Sequence, residues 1–229
     1  MGVDMDSLKQ SIIDKACLKQ DVYSVTKSAF EDLKVQLGDV TNEIHDFISP
    51  TDTRVAVELK TTGAYEARMT LAGDTILFHM HTNVFSFPES HMIYKSPYVM
   101  KDPKNAYCGI INIYNFLTDS YRFNRLNDSG YLVGRLFVNR DRHFYVEGQN
   151  QLGFLFRDFS NSELDSSAIR RVVEAALKHI IDFDLYTPPY NAVKEVTLND
   201  MQALSQDLRI KTGKRLGFKF ASREDQVSF

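Results

Sequence analysis

Two periods of apolar residues divide the chain. From Leu8 to Cys17 and from Val22 to Ile48 they recur at helical spacing, with Val22, Val25, Ala29, Leu33, Leu37, Val40, Ile44 and Phe47 on one face, the stripe of an amphipathic helix. Asp21 is the expected N-cap. Gly38 is where the helix is expected to bend or divide, because glycine weakens a helix interior by about 1 kcal/mol. Ser49-Pro50-Thr51-Asp52 ends it. Between Arg54 and Phe159 the period is two, with β-branched and aromatic enrichment, which predicts a mainly antiparallel sheet. About seven strands are expected, over 54–60, 64–71, 75–85, 107–117, 131–138, 143–147 and 153–157. Turns are expected at Gly73-Asp74, with glycine supplying a positive φ, at Asn139 to Arg142 and at Gly148 to Gly153. Ser160 and Glu163 have capping-box spacing ahead of a helix carrying Ile169, Val172, Val173, Ala176, Leu177, Ile180 and Ile181. Tyr186-Thr187-Pro188-Pro189-Tyr190 breaks that helix, and Thr197 with Asp200 caps a short one to about Asp207.

The fold class is therefore α+β: a mainly antiparallel sheet of about six or seven strands with a long N-terminal amphipathic helix and C-terminal helices packed on it. Residues 1–52 form a helical region, 53–159 the sheet core, and 160–229 the C-terminal helices and a basic tail, together one compact domain. The run Tyr-Cys-Gly-Ile-Ile-Asn-Ile-Tyr-Asn-Phe-Leu at 107–117 is apolar on both parities, as in a strand covered on both faces. Either this chain or a second copy supplies the second cover, so a homodimer is one expectation, through the N-terminal helix or the sheet.

Composition keeps the picture globular. Hydrophobic residues make up 43% and charged ones 25%, with 11 Gly and 6 Pro, which excludes a disordered or low-complexity chain. The 27 Lys and Arg against 30 Asp and Glu give a net charge of −3, against a protein built mainly to neutralise nucleic-acid phosphates. A local basic tail stands out between Arg209 and Lys219. Cys17 and Cys108 suit neither a disulfide framework nor a thiolate metal site. The acidic start, Met1 to Asp6, and the lack of about 18 consecutive apolar residues point to a cytoplasmic protein without a membrane span.

Candidate chemistry is scattered. The segment Ser86 to Ala106, with Pro88, Pro97 and Pro103, is long for a loop, and long loops are often functional. It carries Glu89, His91, Tyr94, Lys95, Tyr98 and Lys101. His143, Tyr145 and Glu147 share one face of a strand. Tyr94, Lys95, Tyr98, His143, Tyr145 and Glu147 are thus the candidate small-molecule contacts. His79 and His81, two apart on a strand, could approach one metal ion with His91 or Glu89. Gly73-x5-His79-x-His81 resembles the opening of the first cupin motif, which implies a metal-binding His-x-His. The match spans nine residues, and Phe85 and Ser86 stand where that family carries glutamate. From Tyr121 to Tyr145 five Arg interleave with aromatics, a pattern able to stack bases. Helix, sheet, helix is similar in outline to GAF-type and PAS-type sensor modules, which implies a small-molecule pocket between sheet and loop. No G-x-S-x-G, H-E-x-x-H, C-x-x-C or G-x-G-x-x-G motif occurs, and no cofactor is indicated. The reading is a non-catalytic cytoplasmic binding or interaction module that self-associates. Its alternatives are a metal-dependent enzyme using the His-x-His site and a nucleic-acid binder using the basic aromatic face.

Overall fold

A computed structural model describes residues 4–148, 151–183, 187, 189–199 and 201. Its first feature is a helix that does not stop where sequence placed a start. α1 (Met5–Ile12) runs through a π-helical segment, Ile13–Cys17, into α2 (Leu18–Ile48). The cap is Asp4, whose side chain accepts from the Ser7 amide at 3.3 Å. Asp21 lies inside α2, and Gly38 does not divide it. The reason is packing: Val22, Ala29, Phe30, Leu33 and Leu37 are fully buried against the sheet. At about 1.5–3 kcal/mol for each large apolar side chain, their burial outweighs one glycine.

Six strands follow: β1 (Val57–Thr62), β2 (Glu66–Leu71), β3 (Asp74–Met80), β4 (Cys108–Leu117), β5 (Tyr131–Asn139) and β6 (Phe144–Gly148). Each pairs antiparallel with the next, in the order β1-β2-β3-β4-β5-β6. The β2–β3 turn takes its positive φ at Ala72 (φ 53°), not at Gly73. Beyond β3 the Ser86 to Ala106 segment is locally ordered. It contains a 3₁₀ turn (Met92–Lys95), α3 (Pro97–Lys101, capped by Ser96) and a second 3₁₀ turn (Pro103–Ala106). α4 (Thr118–Arg122) leaves β4.

The expected seventh strand is instead α5 (Gln151–Leu155). Leu152 and Phe156, four apart, are buried while Phe154 and Leu155 between them are exposed. Alternation in this apolar run was the wrong period. α6 (Ser166–Ile181) is capped by Asp165, which accepts from the Ala168 amide at 2.6 Å. Glu163, expected in a capping box, instead bridges to His143. α7 (Tyr190–Val193) follows. Of the short helix expected to about Asp207, residues 198, 199 and 201 are helical; the rest of it, with the basic tail, lies outside the described residues.

α2 and α6 lie side by side on one face of the sheet, over Met69, Ile76, Phe78, Ile111, Ile113, Leu136 and Phe144. Gly109 of β4 makes that contact possible, because a Cβ there would stand 2.2 Å from the Thr26 hydroxyl of α2. Arg170 of α6 grips Glu43 of α2 with two hydrogen bonds of 2.8 and 2.6 Å. No helix among the described residues is long and apolar enough to cross a membrane.

Candidate functional site

Strand parity leaves the opposite, outer face to Arg68, Leu77, His79, Ile110, Asn112, Tyr114, Arg135, Phe137, Tyr145 and Glu147. Two segments cover its ends. Over one end the 85–106 segment lays Phe85, Phe87, Ile93, Tyr94 and Val99 on Cys108, Ile110 and Phe137. The chain itself therefore covers the second apolar face of β4 there. The space that a sensor-type pocket would need between sheet and loop is filled by these side chains. Burial pushes the Cys108 thiol and the Tyr145 phenol up from their ordinary values. Over the other end Tyr121 of α4 covers Arg68, whose guanidinium lies 4.1 Å from the ring centroid.

Between these covers the strand register draws one polar row across five strands: Glu66, His79, Asn112, Arg135 and Glu147. Four inter-strand steps make it about 19 Å long. Its ends are internally paired. Glu66 accepts from Arg68 Nη2 at 3.0 Å, and Glu147 Oε2 accepts from Arg135 Nε at 2.8 Å. Its middle is not: His79 and Asn112 stand directly opposite each other, half-buried, and neither side chain forms a hydrogen bond among the described residues. Directly opposed residues have Cβ atoms about 5 Å apart, so one ligand group can touch both.

The candidates from sequence fall into four places. Tyr98 and His143 come together, stacked at 4.4 Å, with His143 Nδ1 3.0 Å from the Phe159 carbonyl oxygen. The Tyr98 hydroxyl donates to Asp141 Oδ2 at 2.5 Å and accepts from Asn139 Nδ2 at 2.9 Å. Burial, and then Asp141, push this phenol up to about 12. That network fastens the 86–106 segment to the β5–β6 hairpin, and Arg140 strengthens it by donating to Asp102 and Asn105. Tyr94 and Tyr145 belong to the aromatic cover, where Tyr94 donates to the Phe87 carbonyl at 3.2 Å and Tyr145 stacks on Phe137 at 4.7 Å. Glu147 ends the polar row, and Lys95 is exposed to solvent.

The histidines do not converge. His81 Nδ1 accepts from the Asn83 amide, and its ring meets Phe85 edge-on at 4.8 Å. His91 stacks on Phe87 at 4.6 Å, and Glu89 is exposed. Among the described residues no three His, Cys, Asp or Glu side chains are grouped to hold a metal ion. Four of the five arginines of the expected basic face form ion pairs, Arg125 with Asp128, Arg135 with Glu147, Arg140 with Asp102 and Arg142 with Asp32, while Arg122 lies over the Phe123 ring. Sequence reading missed Asn112. Its one signal is that it is polar inside an otherwise apolar strand, and its link to His79 is a property of register across 33 residues.

No protein-family model, curated protein or solved structure matches the chain. The functional reading rests on this geometry.

Proposed function

We propose that the protein is a binding module whose outer sheet face takes a polar ligand across the Glu66–Glu147 row. The supporting observation is the opposed His79–Asn112 pair: two half-buried hydrogen-bonding side chains, without partners among the described residues, in the middle of a polar row that lies between two aromatic covers. Groups held half-dry by a rigid sheet and left without partners gain most from a ligand that completes them. Asn112 offers both a donor and an acceptor, and His79 a donor or an acceptor according to tautomer. Arg135, one strand away, is already held by Glu147, so the pair suits a carboxamide, and a carboxylate would have to displace Glu147 from Arg135. Free Cys17 and Cys108 fit a reducing compartment, and we place the module in the cytoplasm.

The test is a screen of small carboxylates and N-acetyl amino-acid amides, read by amide ¹H–¹⁵N shifts on the full chain. Binders are expected to move the amides of residues 79, 112 and 135. His79→Ala and Asn112→Ala are each expected to weaken binding about tenfold or more, which corresponds to about 1.4 kcal/mol, with the unfolding midpoint held. Binders that shift other surfaces and ignore both variants would overturn the reading, as would a screen without binders.

A further inference from the structure

An open cleft of about 340 Å³ lies between the start of α2 and the turn that leaves β3, lined by Lys19, Gln20, Tyr23, Thr82, Asn83 and Val84. Ligand cavities run from about 300 to 1,000 Å³, so it suits a small molecule. Lys19 and Tyr23 stand four apart on one face of α2. The turn opposite them is fixed by the Asn83 amide, which donates to His81 Nδ1 at 3.0 Å. The side chains of Lys19, Gln20, Thr82 and Asn83 form no hydrogen bond or ion pair among the described residues.

The Tyr23 side of the cleft holds a pair of phenols. The Tyr23 and Tyr65 hydroxyls are 2.5 Å apart, so one donates to the other. Two phenols hold two protons, and this contact uses one. The second proton meets no acceptor among the described residues, and both tyrosines are half-buried, where a donor gains most from an acceptor brought by a ligand.

Charge selects that acceptor. Lys19 is the one charged residue in the lining, so the cleft carries a single positive charge. The nearby acids are turned away or engaged. Asp21, two residues on, lies on the other side of the helix, Asp14 accepts from Lys104 and Gln10, and Glu66 beside Tyr65 accepts from Arg68. One ammonium neutralises one carboxylate in full, whereas a phosphate group, with about 1.5–2 negative charges at pH 7, is left uncompensated. The volume exceeds a bare carboxylate and leaves room for an organic body, whose amide groups Gln20 and Asn83 can meet as donors and acceptors. We propose that this cleft binds a small organic carboxylate. Lys19 Nζ and the Tyr23 hydroxyl donate to it, while the Tyr65 hydroxyl donates to Tyr23. The site shares no residue with the Glu66–Glu147 row, so either reading can fail alone.

Titration of the full chain with N-acetylglycine at constant ionic strength, read by amide ¹H–¹⁵N shifts, tests it. Saturable shifts are expected at residues 19, 20, 82 and 83 by about 100 mM, as for a millimolar Kd. N-acetylglycinamide, which keeps the shape and lacks the charge, is expected to bind about tenfold more weakly. Lys19→Gln and Tyr23→Phe are each expected to weaken N-acetylglycine about tenfold with the thermal midpoint held. Tyr65→Phe is expected to keep binding, because Tyr23 retains its own proton to donate. Shifts that do not saturate, or that sodium chloride reproduces, would overturn the proposal, as would binding indifferent to Lys19→Gln or to Tyr23→Phe. Equal binding of the amide, or tighter binding of inorganic phosphate, would refute a carboxylate as the ligand.

Discussion

Asn139 shows how much one buried polar side chain can organise. It is fully buried, and its amide donates to the Tyr98 hydroxyl and to the Asn105 carbonyl at 2.9 and 3.2 Å. Its oxygen accepts from the amides of Asp141 and His143 at 3.0 and 2.9 Å. Replacement by alanine strands several partners at once, and each stranded group costs about 1–3 kcal/mol. Asn139→Ala is therefore expected to lower stability by about 2–4 kcal/mol in urea unfolding, a range set by partial access of water. The neighbouring phenol gives a pH signature. Tyr98 titrates near 12 when folded against an ordinary value of 10, so between those values the folded chain keeps a proton that the unfolded chain has released. Its contribution is complete below pH 10 and lost as pH rises through 12. Stability of the wild type is expected to fall more steeply over that window than stability of Tyr98→Phe, as measured by urea midpoints at stepped pH.

At the scale of elements, the closest crossing is α2 over β4. Gly109→Ala would drive a Cβ to 2.2 Å from Thr26 Oγ1 and 2.7 Å from its Cβ, an overlap relieved only by moving the helix. A loss of about 1–3 kcal/mol is expected, and Thr26→Gly in the same chain is expected to recover part of it despite its own helix cost. A double-mutant cycle in urea measures the coupling. The same crossing marks what sequence could show. α2, α6 and the strands were legible because one-sided burial imposes periods of 3.6 and 2 on the residues themselves. α5 was not: Leu152, Phe154 and Phe156 stand two apart as on one face of a strand, and only the exposure of Phe154 between buried Leu152 and Phe156 shows a helical turn. Asp165 outdid the Ser160–Glu163 box because the chain straightens through Glu163 to bridge His143 before the helix begins. Of the candidate residues, the His79–Asn112 pair depends on which strands lie side by side, and the Tyr98–His143 stack on where the 86–106 segment docks. A bulge between Ile113 and Tyr114 further shifts the β4–β5 register beyond what alternation can show.

At the scale of the molecule, two helices close the inner face, two short segments cover the ends of the outer one, and the polar row lies between them. The charges that join distant parts, Arg142 with Asp32 at 2.7 Å and Arg170 with Glu43, sit at half-exposed positions, where such pairs are worth about 0–1 kcal/mol each. Cohesion comes from the apolar layer beneath α2 and α6. The edges of the sheet differ: β6 is bordered by the chain that follows it, through Phe144 to Ser162 and Val146 to Phe156, whereas β1 carries exposed Glu58 and Lys60. Charged side chains on an edge discourage pairing with a second sheet. The uncrossed strand order also bears on how the chain assembles. Because every strand pairs with the one before it, pairings in the sheet stay local, the longest closure being the one across residues 81–107 between β3 and β4, and the short-range pairings form early. A chain made from its N-terminus can complete each hairpin behind the growing point, on an α2 already present, and α6 arrives last to close the inner layer.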